Sequence, residues 1–356
     1  MKGRCRVRLR FLTLMGALMV VLAVVSLVSL PVAGQSPAAA PKARTAAKTW
    51  TVSHTPDGQP DLQGVWNYAP GTPLERPAAF AGRQFLTDDE LAQAEKQMHE
   101  RGNRDGRRAR GTDADVNGDY NAFWDAKRKT ILLTKRTSLI TDPPDGKLPP
   151  LTPEAQKREA ARADARRGRG PADSHEDRPL QERCLLQRTA GPPILPVAGK
   201  DEVLGSPANF QILQTPGYVV ILHETQGELR IIPLDGRPHG NIRQWLGDSR
   251  GHWEGDTLVV DTTNFTNKTD FRGSHENLHL VERFTRVAAD MIDYQFTVDD
   301  PTTWTMPWTA AVPIAKTEGQ IYEYGCHEGN YSLPHILSGA RAQEKAAAEA
   351  AKKGSR

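Results

Sequence analysis

Apolar and polar residues alternate with a period of two through much of the second half of the chain. Ile292, Tyr294, Phe296 and Val298 are interleaved with Asp293, Gln295, Thr297 and Asp299, the pattern of a strand with one buried and one solvated face. Trp308, Ala310, Val312 and Ile314 repeat it, and residues 321–326 are expected to add a further strand. Upstream, residues 218–222 and 229–234 flank a Gln226-Gly227 turn, and residues 251–265 read as two strands joined at Glu254-Gly255-Asp256. Residues 60–68, 131–133 and 137–140 supply strand-like segments in the first half. Short strands at this spacing, separated by turn residues, point to a barrel or sandwich.

Two insertions break the strand pattern. The first covers about 86–111. Thr87 and Glu90 have capping-box spacing and Leu86 and Leu91 that of a hydrophobic staple, so a helix begins there. Its apolar stripe, Leu91, Ala94 and Met98, is narrow enough to mark a surface helix. Residues 101–111 are basic and glycine-rich, a solvated loop or an anion site. The second insertion, about 152–178, opens with Thr152 as N-cap and Pro153 in the first helical position. The tail, 339–356, is helix-prone but offers no apolar face. The expected architecture is mainly β: an antiparallel lipocalin-like β-barrel, or a β-sandwich, with helical insertions in the N-terminal half of one domain spanning 59–338.

The N-terminus has a different grammar. Lys2, Arg4, Arg6, Arg8 and Arg10 precede an uncharged apolar run over 11–30, and Val32-Ala33-Gly34 follow. This is the order of a secretory signal peptide over 1–34, cleaved after Ala33 or Gly34, with 35–58 as a flexible linker. A membrane partner is expected only if the leader stays uncleaved. The chain has 46 Lys+Arg against 43 Asp+Glu. Removing the five leader bases leaves 41 against 43, so the electrostatic case for a nucleic-acid partner disappears. Cys5 leaves with the leader. Cys184 and Cys326 then form a disulfide in the favoured reading for an exported chain; free thiols and a metal site using Cys326, His327 and Glu328 are the alternatives.

His275-Glu276-Asn277-Leu278-His279 matches His-Glu-x-x-His. On a helix both imidazoles would face one zinc ion while Glu276 activated a water. The surrounding residues fit a strand better, with 282–287 pairing onto 292–298 across Ala288-Ala289-Asp290. A strand sets the two histidines about 13 Å apart, too far to share a metal. No cofactor is therefore expected, with zinc at His275 and His279 as the alternative. On the same strand Glu282 shares a face with Leu280 and Phe284. A buried carboxylate needs a partner, for which Arg243 or Arg286 is expected; in a ligand cavity it would suit acid/base work. His327 and Glu328 end the last expected strand and join Glu282 as candidate catalytic residues. Trp66, His279, Glu282, Arg283, Trp308 and His327 are the candidate ligand-binding residues.

Residues 251–265, 277–287, 299–309 and 322–330 resemble a family of exported bacterial proteins of unassigned function, a likeness that extends from Pro60 to about Arg341. It implies export and carries no catalytic residues. Gly64-Val65-Trp66 resembles the opening strand of lipocalin-like barrels, whose Trp plugs one end. The leading expectation is an exported periplasmic or secreted barrel that binds a small, partly apolar molecule. An exported hydrolase or lyase and a structural envelope protein are the alternatives.

Overall fold

The computed structural model describes residues 50–68, 71–102, 134–186, 192–195 and 209–354. The expected leader, most of the linker, the basic loop from 103 to 111 and the strand at 131–133 lie outside the described residues. Ten strands and three α-helices are present among them: β1 (Gly64–Asn67), α1 (Asp88–Gly102), β2 (Ile140–Asp142), α2 (Pro153–Ala165), β3 (Asn209–Thr215), β4 (Tyr218–His223), β5 (Leu229–Pro233), β6 (Asp248–Glu254), β7 (Thr257–Thr263), β8 (His279–Ala288), β9 (Met291–Asp299), β10 (Trp308–Lys316) and α3 (Ser332–Gly354).

Nine strands form one antiparallel path, β5-β4-β3-β1-β10-β9-β8-β7-β6, that curls into a nearly closed barrel. β2 pairs with β10 through Thr309↔Asp142 and Ala310↔Ile140, alongside the part of β10 that β1 leaves uncovered. The expected pairing across Ala288-Ala289-Asp290 is present, with Glu282 opposite Phe296 and Phe284 opposite Tyr294. Pro216-Gly217 turns β3 into β4, with Gly217 at φ 79°, and Gly255, at φ 57°, turns β6 into β7. Both glycines adopt the left-handed conformation that other residues disfavour.

Period-two alternation sends one face of every long strand into the barrel. Phe210, Ile212, Val219, Ile221, Ile232, Val260, Leu280, Phe284, Ile292, Phe296, Val312 and Ile314 are all fully buried. The terminal strands β5 and β6 meet through side chains. A Cβ on Gly251 would stand 2.7 Å from Leu234 Cδ2 and 2.8 Å from Ile232 Cγ2, so only glycine lets the two strands approach. This seam is where the barrel is least bound by backbone hydrogen bonds.

One barrel end is shut by Trp66. Its Nε1 donates to the Leu62 carbonyl at 2.9 Å, and the Arg286 guanidinium lies 5.7 Å above its ring. Arg286 donates in turn to the carbonyls of Asp61, at 2.7 Å, and Ala289, at 2.6 Å. Trp308, at the opposite end of β10, stacks on Phe271 and meets Phe296 and Trp304 edge-on.

The helices sit outside the barrel. Thr87 and Glu90 cap α1 reciprocally, Glu90 N–H donating to Thr87 Oγ1 and Thr87 N–H to Glu90. Thr152 caps α2, with Pro153 as its first residue. The strand expected over 321–326 is absent: residues 317–331 hold no regular strand, and Tyr322 and Tyr324 are exposed. The edges of β10 are already taken by β9 on one side and β1 and β2 on the other. The segment is instead tied to Cys184 by the Cys184–Cys326 disulfide, whose Cα atoms are 5.8 Å apart. The tail helix α3 starts at Ser332, earlier than its composition suggests, and buries no residue. Among the described residues no helix is long and apolar enough to cross a membrane.

Candidate functional site

The seam between β5 and β6 opens into a cleft of about 350 Å³ at the barrel end where β3 turns into β4. Tyr218, Val219, Leu234 and Trp253 give it an apolar and aromatic wall; Asp57, Gln59, Gln214 and His252 stand around them. The local sequence explains this chemistry. Tyr218 follows the Pro216-Gly217 turn on the outward face of β4, and Trp253 points inward from the end of β6 to pack against the core. The buried Trp253 Nε1 has no hydrogen-bond partner among the described residues. Gln214 is committed to the scaffold: its Oε1 accepts from Leu62 N–H at 2.7 Å and its Nε2 donates to the Pro60 carbonyl at 3.0 Å. His252 is exposed and lies 3.1 Å from Glu254. A cleft of this size with aromatic walls and a few polar groups suits a small molecule.

Inside the barrel, Glu282 is completely buried and fully paired. Arg230, from β5, reaches it with Nη2 at 2.5 Å and Nη1 at 3.1 Å, and the Tyr294 hydroxyl donates to it at 2.8 Å. Arg230 also donates to Ser249 at 3.2 Å. Burial, reinforced by the Glu282 carboxylate, holds the Tyr294 phenol well above its usual pKa, so it stays a neutral donor. The partner expected for Glu282 was Arg243 or Arg286, and the structure corrects this to Arg230. Arg286 is spent on carbonyls at the Trp66 end, and Arg243 donates to the carbonyls of Phe265 and Glu276. Arg230 alternates inward with Ile232 along β5, a signal present in the sequence beside a more apolar background.

The lumen has a further occupant. Pro192, Pro193, Ile194 and Leu195 are all buried, and the Ile194 N–H donates to the Tyr294 hydroxyl at 2.9 Å. The chain's own backbone thus enters the barrel and fills space that an open ligand cavity would need. Close to Arg230, the His223 imidazole is 1% exposed, with Phe210 and Tyr68 rings at 5.6 and 6.1 Å. Neither ring nitrogen has a hydrogen-bond partner among the described residues. Burial, with a smaller contribution from Arg230, pushes its pKa down to about 3.

The two histidines of the His-Glu-x-x-His match are not brought together. His275 precedes β8; its Nδ1 donates to the Thr269 carbonyl at 2.6 Å and its Nε2 faces Arg162 at 2.6 Å. As Arg can only donate, Nε2 is the acceptor in that pair. His279 begins β8 on the outer face, where its Nε2 lies 2.7 Å from Asp261. The other Asp261 oxygen meets His239 Nε2 at 2.8 Å, and Asp248, itself paired with Arg250, stands 3.4 Å from His239 Nδ1. His239 and Asp261 escaped the sequence reading because a loop and a neighbouring strand supply them. Among the described residues, no group of three or more His, Cys, Asp or Glu side chains is arranged to hold a metal ion.

The remaining candidates are dispersed. Trp66 and Trp308 are fully buried at opposite ends of the barrel wall. Arg283 points outward and pairs with Glu254 at 2.8 Å. His327 and Glu328 occupy the exposed turn after the disulfide rather than a strand end. A second cleft, about 320 Å³, lies beside them, lined by Gln181, Glu182, Tyr324 and Asn330. Comparison of the chain with family models, with curated proteins and with solved structures gives no match.

Proposed function

We propose that this protein is an exported barrel that binds a small, partly apolar molecule in the cleft at the β5–β6 seam. The observation that carries this reading is the cleft's composition: Tyr218, Trp253, Val219 and Leu234 in one concave surface of about 350 Å³, ringed by polar side chains. The aromatic faces supply contact area at low conformational cost, and the rim orients the ligand. Export is supported by the leader pattern and by the Cys184–Cys326 disulfide, a bond suited to an oxidising compartment.

The reading is tested with 8-anilinonaphthalene-1-sulfonate, an aromatic probe that brightens in apolar sites. The native protein is expected to bind one probe molecule with energy transfer from tryptophan. Tyr218→Ser should weaken binding about tenfold by removing one aromatic wall, without lowering the melting temperature. Undiminished binding in that variant places the probe elsewhere and refutes the assignment. Export is checked by the mass of the mature protein, which should begin at Gly34 or Gln35.

A further inference from the structure

β5 and β6 run in the same direction across the seam. A path of nine strands joined by antiparallel pairings leaves its first and last members parallel. The side-chain contacts agree: Arg230 meets Ser249, Ile232 and Leu234 close on Gly251, and Leu234 shares the cleft wall with Trp253. A parallel pair cannot be joined by a tight turn. Residues 235–247 therefore leave β5 at the cleft and run back along the barrel to the start of β6.

The first part of this crossover, residues 235–240, is a strap held by side chains. Arg237 pairs with Asp235 and reaches the Tyr218 hydroxyl at the cleft edge. The Pro238 carbonyl accepts from Arg250 at 3.2 Å, and Gly240 donates its N–H to Asp248 at 2.7 Å and accepts from Asn264 at 2.8 Å. Between these anchors lies His239, 27% exposed, with a carboxylate against each ring nitrogen: Asp261 is 2.8 Å from Nε2 and Asp248 is 3.4 Å from Nδ1.

A neutral imidazole carries one N–H. Given to Asp261, it leaves the lone pair of the buried Nδ1 turned on the Asp248 carboxylate, with no hydrogen-bond partner among the described residues. An imidazolium presents an N–H to each carboxylate. The other charges around the ring do not replace that proton. Arg250 pairs with the far oxygen of Asp248, His279 from β8 takes the far oxygen of Asp261, and Asp235 and Arg237 neutralise each other. Histidine changes charge between about pH 5 and 8. The clasp is complete at the acidic end of that range and loses one arm as pH rises.

We propose that residues 235–240 form a pH-sensitive strap on the seam cleft, an inference that rests on the cleft being the ligand site. Protonated His239 fastens the strap, so that Arg237 fixes the Tyr218 wall; neutral His239 releases both and weakens ligand binding. The seated strap is the binding-competent state, and apparent affinity falls with the seated fraction.

Hydrogen exchange of the full mature chain, read by mass spectrometry at about pH 5.5 and about pH 8, tests the strap without any ligand. Expressed as protection factors, the intrinsic pH dependence of exchange cancels. In the native protein the amides of residues 236–241 should lose protection at least about fivefold at the higher pH. His239→Gln keeps a neutral donor for Asp261 and should show the lower protection at both pH values. His279→Gln leaves the His239 clasp in place and should retain the native response. The binding consequence is read with 8-anilinonaphthalene-1-sulfonate. Native affinity should fall about threefold between the two pH values, as a drop of the seated fraction to about one third would give, and His239→Gln affinity should stay constant. Equal strap protection at both pH values in the native protein overturns the proposal, as does a pH response that survives in His239→Gln or vanishes in His279→Gln. A strap that loosens while Tyr218-dependent probe binding stays constant overturns it too. Probe binding indifferent to Tyr218→Ser refutes the cleft as the ligand site and the gating with it, whereas pH-independent exchange refutes the clasp itself.

Discussion

Replacing His223 by Phe separates what a buried imidazole costs from what it does. The side chain is 1% exposed, its two ring nitrogens lack partners among the described residues, and burial next to Arg230 lowers its pKa to about 3. In the unfolded chain the same group titrates near 6.5. Between about pH 6.5 and pH 3 the unfolded state therefore holds a proton that the folded state refuses. Stability contributed by the neutral side chain is fully present above 6.5 and is lost as pH falls towards 3, by about 1.4 kcal/mol per unit. Summed over that window the loss is on the order of 4–5 kcal/mol. Phe cannot be protonated, so its stability curve should diverge upward from the native one on acidification. At neutral pH the variant should already gain about 1 kcal/mol, because an unsatisfied group costing about 1–3 kcal/mol is removed and slight overpacking against Phe210 and Tyr68 offsets part of it. The assay is urea unfolding at half-unit steps from pH 7 to pH 4, comparing midpoints at constant slope. Parallel curves for the two proteins would refute the reasoning, since they would mean that His223 protonates equally in both states.

The buried ion pair makes a complementary prediction. Glu282→Ala leaves Arg230 charged and unpaired in the core and should cost about 3–5 kcal/mol, whereas the double change Arg230→Met with Glu282→Leu should recover most of that loss in thermal melts. Gly251→Ala drives a methyl group into Leu234 and Ile232 at the seam; a loss of about 1–3 kcal/mol is expected, with weaker probe binding in the adjoining cleft. Removing the disulfide by changing Cys184 and Cys326 to Ser should lower stability by about 2–5 kcal/mol, measured by denaturant titration under identical redox conditions.

The barrel was legible because period-two alternation is strong wherever one face of a strand is buried. β8 and β9, with Leu280, Phe284, Tyr294 and Phe296 inward, show it most clearly, and their pairing follows from the turn between them. Residues 321–326 misled for the same reason. Alternation at Tyr322 and Tyr324 mimics a strand, but strand formation requires a free edge, and β10 has none to spare. Glu282 was recognisable as buried, yet its partner was not. A sheet curled into a barrel sets β5 opposite β8, and that distance is set by closure rather than by spacing along the chain. The seam cleft was harder still. Tyr218 and Leu234 are neighbours through the β4–β5 pairing, but Trp253 joins them from β6 across the unpaired seam, where Gly251 permits the approach. His239 and His279 share Asp261 through a loop crossing, which no local pattern encodes.

A crystal of the mature protein soaked in a mixture of small aromatic and alicyclic compounds tests the ligand-binding assignment most directly. The assignment predicts a bound compound in the seam cleft, its ring against Tyr218 and Trp253. Compounds seen repeatedly at other surfaces while that cleft stays vacant at saturating concentration would contradict it.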